Sequence, residues 1–275
     1  MKPRVLTGLA LAALAATLTG CSWEYLIPIS ITETSDKIDL LMWVIIWITM
    51  IVFIGVEVVL VWFILKYRDM GDGRKPVYTH GSNKLEAIWT GIPVLILIVL
   101  AVWSENLLNA EIRAIPEKPD VRIKVTARQF NWNFEITESS GEQIDEASRP
   151  IVDTGMHSTE TAEPDRHFPK EFISGYDNLT PLKIPVDRTT VFEITSLDVI
   201  HSFWVPEFRI KQDAMPGHVN RIWIRPNKTG LYPIVCAELC GNGHYRMAGR
   251  LEVVTGEEYD AWVAEQASGG SDELF

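Results

Sequence analysis

Two cysteines, a histidine and a methionine fall within twelve consecutive residues: Cys236-Ala237-Glu238-Leu239-Cys240-Gly241-Asn242-Gly243-His244-Tyr245-Arg246-Met247. Thiolate, thioether and imidazole are the soft and borderline donors that select copper. A further histidine, His201, lies 35 residues before Cys236, at the head of a stretch that reads as a strand. One ligand would then come from a strand and the rest from a loop between later strands. Two other chemistries could use the cysteines. A disulfide would suit a domain outside the cytoplasm, and zinc could take two Cys and two His in a closed tetrahedral site. Zinc has no use for the thioether, however, and a disulfide has no use for either histidine. The full set of donors points to copper.

The segments around these residues alternate in polarity, as half-buried strands do. Val121-Arg122-Ile123-Lys124-Val125 and Asn131-Trp132-Asn133-Phe134-Glu135-Ile136 are the cleanest cases. Further strands are expected at 190–195, 201–205, 220–224, 230–236 and 249–254, separated by the turn signals Pro185-Val186-Asp187, Pro216-Gly217 and Pro226-Asn227-Lys228-Thr229-Gly230. Short strands at this spacing predict an antiparallel sandwich or barrel over 110–265. Residues 138–176 are polar, acidic and aperiodic, and read as a surface insertion. Residues 266–275 read as a disordered tail.

The first third of the chain is different in kind. Met1-Lys2-Pro3-Arg4, an apolar run and Thr19-Gly20-Cys21 describe a secretory signal peptide over 1–20. Leu18-Thr19-Gly20-Cys21 also resembles a bacterial lipobox, which would make Cys21 a lipidated N-terminus of the mature chain. After a short outward segment at 21–37, an apolar run from Leu40 to Leu65, whose only charge is Glu57, predicts a membrane-spanning helix over 38–66. A second, containing Pro93, predicts another over 85–106. The connecting loop, 67–84, and the end of the first span carry Lys66, Arg68, Arg74, Lys75 and Lys84. The positive-inside tendency puts that loop in the cytoplasm, and the N-terminus and the large domain outside. Glu57 demands a polar partner, because a lone carboxylate facing lipid is costly. The helix pair should therefore pack against further protein.

Net charge divides the same way. From Ala110 onward there are 17 basic and 27 acidic side chains, so this part holds nearly all of the chain's net charge of −11. Such a domain repels nucleic acid and can steer basic partners. No Cys-x-x-Cys-His occurs anywhere, so the chain carries no c-type haem attachment site.

Cys-x-Glu-x-Cys-Gly-x-x-His-x-x-Met resembles the binuclear copper A loop of cytochrome c oxidase subunit II from bacteria. Asp198-Val199-Ile200-His201-Ser202-Phe203-Trp204-Val205-Pro206, Lys211-Gln212-Asp213-Ala214-Met215-Pro216-Gly217 and His80-Gly81-Ser82-Asn83-Lys84-Leu85-Glu86-Ala87-Ile88-Trp89-Thr90 are similar to other segments of that family. The likeness runs over about residues 35 to 265. It implies a two-helix transmembrane hairpin followed by a cupredoxin-like β-sandwich in the bacterial inner membrane. It also implies two copper ions, bridged by Cys236 and Cys240 and held by His201, His244, Met247 and the backbone carbonyl of Glu238. The Glu238 side chain would reach a magnesium ion shared with subunit I. Electrons would arrive from cytochrome c and leave for a haem of subunit I, where dioxygen is reduced to water with proton pumping; subunit III is a further expected partner. Quinol oxidases share the architecture but lack these copper ligands.

The resemblance assigns other residues too. Phe130 and Trp132 would mark where electrons enter, although Phe130 stands where the family commonly has tryptophan, and Trp132 reads equally as sandwich core. Glu135 and Asp198 would help dock the cytochrome. Glu86 would lie at the entrance of a proton path, its plainer reading being a carboxylate beside the favourable end of a helix dipole.

Overall fold

The computed structural model describes residues 27–73, 75, 78, 80–154 and 180–269. The expected signal peptide, Cys21, Arg74, residues 155–176 of the expected insertion and 270–275 of the expected tail lie outside the described residues.

Two long helices come first, α1 (Glu33–Tyr67) and α2 (Asn83–Leu108), with one π-helical turn, Asn109–Arg113, continuing α2. Each is a few residues longer than the span the sequence predicts. Both are long and apolar enough to cross a membrane, and their most apolar windows bury nothing inside the chain. The Thr32 hydroxyl accepts the amide of Ser35 at 2.9 Å, and the Ser35 hydroxyl accepts the amide of Thr32 at 3.1 Å. This reciprocal capping box satisfies amides that have no partner at the start of α1. Ser82 caps α2, with Glu86 in its first turn. α2 continues through Pro93, where the helix lacks one backbone donor. At the other end of the pair, Lys37 and Glu111 form an ion pair of 2.7 Å, joining the start of α1 to the end of α2.

The second unit is a two-sheet sandwich. One sheet runs in the order β3 (Glu142–Gln143), β2 (Asn131–Ser139), β1 (Val121–Arg128), β6 (Thr190–Ser196), β9 (Asn220–Ile224), with β4 (Ile151–Asp153) also paired to β2. The other runs β5 (Leu182–Pro185), β11 (Ala248–Val254), β10 (Gly230–Cys236), β7 (His201–Val205), β8 (Ile210–Ala214). Val121, Ile123, Val125 and Ala127 of β1 all point into the core, as strict alternation requires. Phe134, Phe192 and Phe203 fill the space between the sheets, and none is exposed.

The sandwich departs from the sequence expectation in four places. It is mixed rather than wholly antiparallel, because β1 pairs with β6 and β5 with β11 in parallel. Strands β5 and β8 were not anticipated. Part of the expected surface insertion is sheet: β3 and β4 pair with β2, and Val152 is buried. Part of the expected tail is the end of a helix, α3 (Gly256–Gly269), which buries Tyr259 and Trp262. Before the first helix, Ile31 is fully buried and its carbonyl accepts the amide of Asn227 at 2.8 Å.

Candidate metal centre

Antiparallel pairing of β7 with β10 sets the head of one strand beside the tail of the other. Cys236 is opposite Phe203, and the Ala237 amide donates to the Ser202 carbonyl at 2.9 Å. His201 at the start of β7 therefore meets Cys236 at the end of β10. The loop after Cys236 folds back, closed by Cys236 N–H to Met247 O at 3.0 Å. A short 3-10 turn, His244–Arg246, then brings His244 and Met247 round to the thiols.

The donor atoms converge. Sγ of Cys236 and of Cys240 are 3.8 Å apart and unbonded. Nδ1 of His201 is 4.0 Å from Cys236 Sγ and 3.1 Å from Met247 Sδ. Nδ1 of His244 is 3.6 Å from Cys240 Sγ, and Met247 Sδ is 3.8 Å from the same sulfur. The carbonyl oxygen of Glu238 lies 3.2 Å from Cys236 Sγ, while the Glu238 side chain is exposed. His201, Cys240 and Met247 are almost wholly buried, and Cys236 nearly so. Two sulfurs with an imidazole on either flank, a thioether and a carbonyl fit a soft-metal centre with more than one ion. The donors alone carry that conclusion.

The electrostatics favour thiolate at one sulfur first. Burial works against charge at Cys236, but hydrogen bonding from His201 and nearby backbone lowers its pKa. Burial and the neighbouring Cys236 charge push the Cys240 thiol up. Burial likewise opposes a proton on His201, while Cys236 and Asp198 favour one and raise its pKa overall. Asp198 loses solvation on partial burial, yet hydrogen bonds from His201 and from the Gln129 and Val199 amides hold it down at about 2.

The other expected residues fall as follows. Phe130, half-buried at the β1–β2 turn, lies against the loop that follows Cys236: a Cβ added at Gly243 would stand 2.5 Å from its ring, and one at Gly241 3.2 Å. Trp132 is not at the surface. It is fully buried and packs edge-on against His201 and Phe203, with centroids at 6.2 and 5.6 Å, so of the two aromatics only Phe130 can meet a partner. Glu135 lies between Lys124 at 3.3 Å and Arg149 at 2.8 Å; burial opposes its charge, but these two cations hold its carboxyl below the usual range. Asp198 contacts His201 directly. Glu86 is exposed at the start of α2.

Gln129, Gly241 and Gly243 were not anticipated. Gln129 donates from Nε2 to the Cys240 carbonyl at 2.6 Å. The glycines flanking Asn242 are a readable sign of close backbone approach.

An apolar helix pair together with a two-sheet sandwich bearing a buried thiol, imidazole and thioether cluster fits a membrane-anchored protein with a soft-metal site. The family model for the cytochrome c oxidase subunit II periplasmic domain matches residues 121–254, and that for its transmembrane domain matches residues 21–107. Cytochrome c oxidase subunit 2 of Cereibacter sphaeroides is 34% identical over 229 residues, covering 80% of this chain and 73% of that protein. The corresponding protein of Alkalihalophilus pseudofirmus is 33% identical over 266 residues, covering 93% of this chain and 66% of its own length. Among solved structures, the periplasmic domain of subunit II of cytochrome oxidase from Bradyrhizobium japonicum is similar at 25% identity and a TM-score of 0.43, covering 57% of this chain and all of that one. The chain belongs to the cytochrome c oxidase subunit II family. It is a subunit of a haem–copper oxidoreductase complex, and the family implies a copper A site.

Proposed function

We propose that this subunit receives electrons from cytochrome c at a binuclear copper A centre and passes them to a haem of subunit I. The observation that carries the reading is the convergence of the six expected ligand residues on one pair of sulfurs 3.8 Å apart. Cys236 and Cys240 would bridge the ions, His201 and His244 would each bind through Nδ1, and Met247 Sδ and the Glu238 carbonyl would complete the set. Copper held by these thiolates would supply a one-electron carrier whose charge is shared with the sulfurs. The strand ends and the folded loop keep these ligands still, so little need rearrange when the charge changes.

The remaining assignments follow from the family. The exposed Glu238 carboxylate would turn to a magnesium ion shared with subunit I, a hard oxygen ligand for a hard cation. Phe130 would be the contact for the incoming electron. The acidic domain would steer a basic cytochrome c through its long-range field. Glu135 and Asp198, the individual docking candidates, are already engaged with groups of this chain. Glu86 would serve at the entrance of a proton path, as part of proton pumping coupled to reduction of dioxygen. The sandwich and the N-terminus would face the periplasm, the 67–84 loop the cytoplasm, after removal of a signal peptide and lipidation of Cys21. Subunit III would complete the membrane contacts.

The deciding experiment is copper loading of the full-length chain in detergent. Two coppers per chain with a purple, mixed-valence absorption are expected; one copper, or zinc alone after Cu(II) loading, would refute the reading.

A further inference from the structure

Asp198 stands in the loop before β7, and its carboxylate holds two separate pieces of the site. Oδ1 is 2.8 Å from Nε2 of His201 and accepts the Val199 amide at 2.7 Å. Oδ2 accepts the Gln129 amide at 2.6 Å. Gln129 in turn donates to the Cys240 carbonyl, and the next residue, Phe130, lies against Gly241 and Gly243. A continuous path thus runs from a ligand on β7, through one carboxylate, to the β1–β2 turn and on to the copper loop.

A carboxylate at Nε2 keeps the proton on that nitrogen, and the Nδ1 lone pair is left for a metal. The His201 ring has no solvent exposure while this partner is in place. The same carboxylate also occupies the Gln129 amide and so fixes the turn that bears Phe130.

We propose that Asp198 is a positioning residue, not a docking charge: it orients His201 with Nδ1 toward the thiols and clamps the Gln129–Phe130 turn onto the copper loop. The proposal rests on the copper reading above. Glu135 offers a contrast. It too is engaged within the chain, but by Lys124 and Arg149 rather than by a ligand. The two acids that the family resemblance groups together thus have different surroundings, and their substitution should have different consequences.

The test uses the full-length chain with Asp198→Ala, Asp198→Asn and Glu135→Gln, followed by copper count, copper affinity, visible absorption and the copper hyperfine pattern in EPR. Asp198→Ala should weaken copper binding by about 10- to 100-fold, the usual effect of removing a partner that orients a metal ligand, and shift both spectra. Asp198→Asn keeps one acceptor oxygen where the carboxylate offers two and should shift them less. Glu135→Gln should leave them unchanged. An Asp198→Ala chain with wild-type affinity and spectra overturns the proposal. So does one whose only defect is a weaker salt dependence of reduction by a basic cytochrome, the mark of a docking charge. If Asp198→Ala does not fold, an unchanged Asp198→Asn chain overturns it. A wild-type chain binding fewer than two coppers refutes the copper reading itself, and does so before any substitution is made.

Discussion

The imidazole of His201 and the indole of Trp132 pack edge to face, with centroids 6.2 Å apart and planes inclined at 63°, both wholly buried. Trp132 is thus a wall of the metal centre built from the opposite sheet. Trp132→Ala should cost about 3–5 kcal/mol in stability, the usual range for removing a large core aromatic. It should also loosen His201. Thermal unfolding of the apo chain would measure the first effect and copper affinity the second, and Trp132→Phe should be milder in both.

Cys240 is within 3.8 Å of Cys236 Sγ and Met247 Sδ and within 3.6 Å of His244 Nδ1. Cys240→Ser replaces the sulfur proposed to bridge by a hard oxygen and should abolish the mixed-valence absorption while leaving the fold intact. Survival of that spectrum would show that Cys240 does not bridge.

Gly243 has no space for a side chain, since a Cβ there would fall 2.5 to 2.8 Å from three atoms of the Phe130 ring. Gly243→Ala should push the ring off the loop and slow electron uptake from a cytochrome. Phe130→Ala in the same chain should relieve the clash. Stopped-flow reduction of the two variants, alone and combined, measures the coupling; independent effects would argue against direct packing.

Glu207, in the turn after β7, has a buried Oε2 with no hydrogen-bond partner among the described residues, and burial raises its pKa. A carboxyl whose folded pKa exceeds its unfolded value destabilises the fold progressively as pH rises between the two, because the unfolded chain ionises first. Glu207→Gln should therefore stabilise the chain at pH 7, by about 1 kcal/mol or 2–4 °C in Tm. The gain should fade as pH falls below the ordinary carboxylate range. Melting curves from pH 4 to 8 would test the sign.

Much of this protein could be read from local pattern. The apolar runs foretold α1 and α2, because crossing a bilayer imposes a length and a composition that no distant contact alters. Seven strands were placed by alternation or turn signals. The candidate donors of one loop stand out because four chemically distinctive side chains sit within twelve residues. α3 was within reach as well: Thr255 and Glu258 form a reciprocal cap, with the Thr255 amide donating to Glu258 Oε2 at 3.0 Å and the Glu258 amide to Thr255 Oγ1 at 3.3 Å.

The tertiary structure alone decided who stands beside whom. The parallel pairs β1–β6 and β5–β11 join segments more than 60 residues apart, and no local spacing encodes such a partner. The short β4 and β5 become strands by pairing with longer neighbours. At the metal centre the candidate donors were legible in the sequence, whereas the contact of Asp198 with His201 and the choice of core for Trp132 were not. A carboxylate three residues before a ligand reads as a surface charge until the loop turns it onto His201. Likewise, an aromatic in an alternating strand points to core or surface only once the opposite sheet is in place. Ligand chemistry is a property of side chains and survives reading along the chain. The contacts that hold those ligands are made between strands and turns far apart in sequence, and exist only once the two sheets have closed on each other.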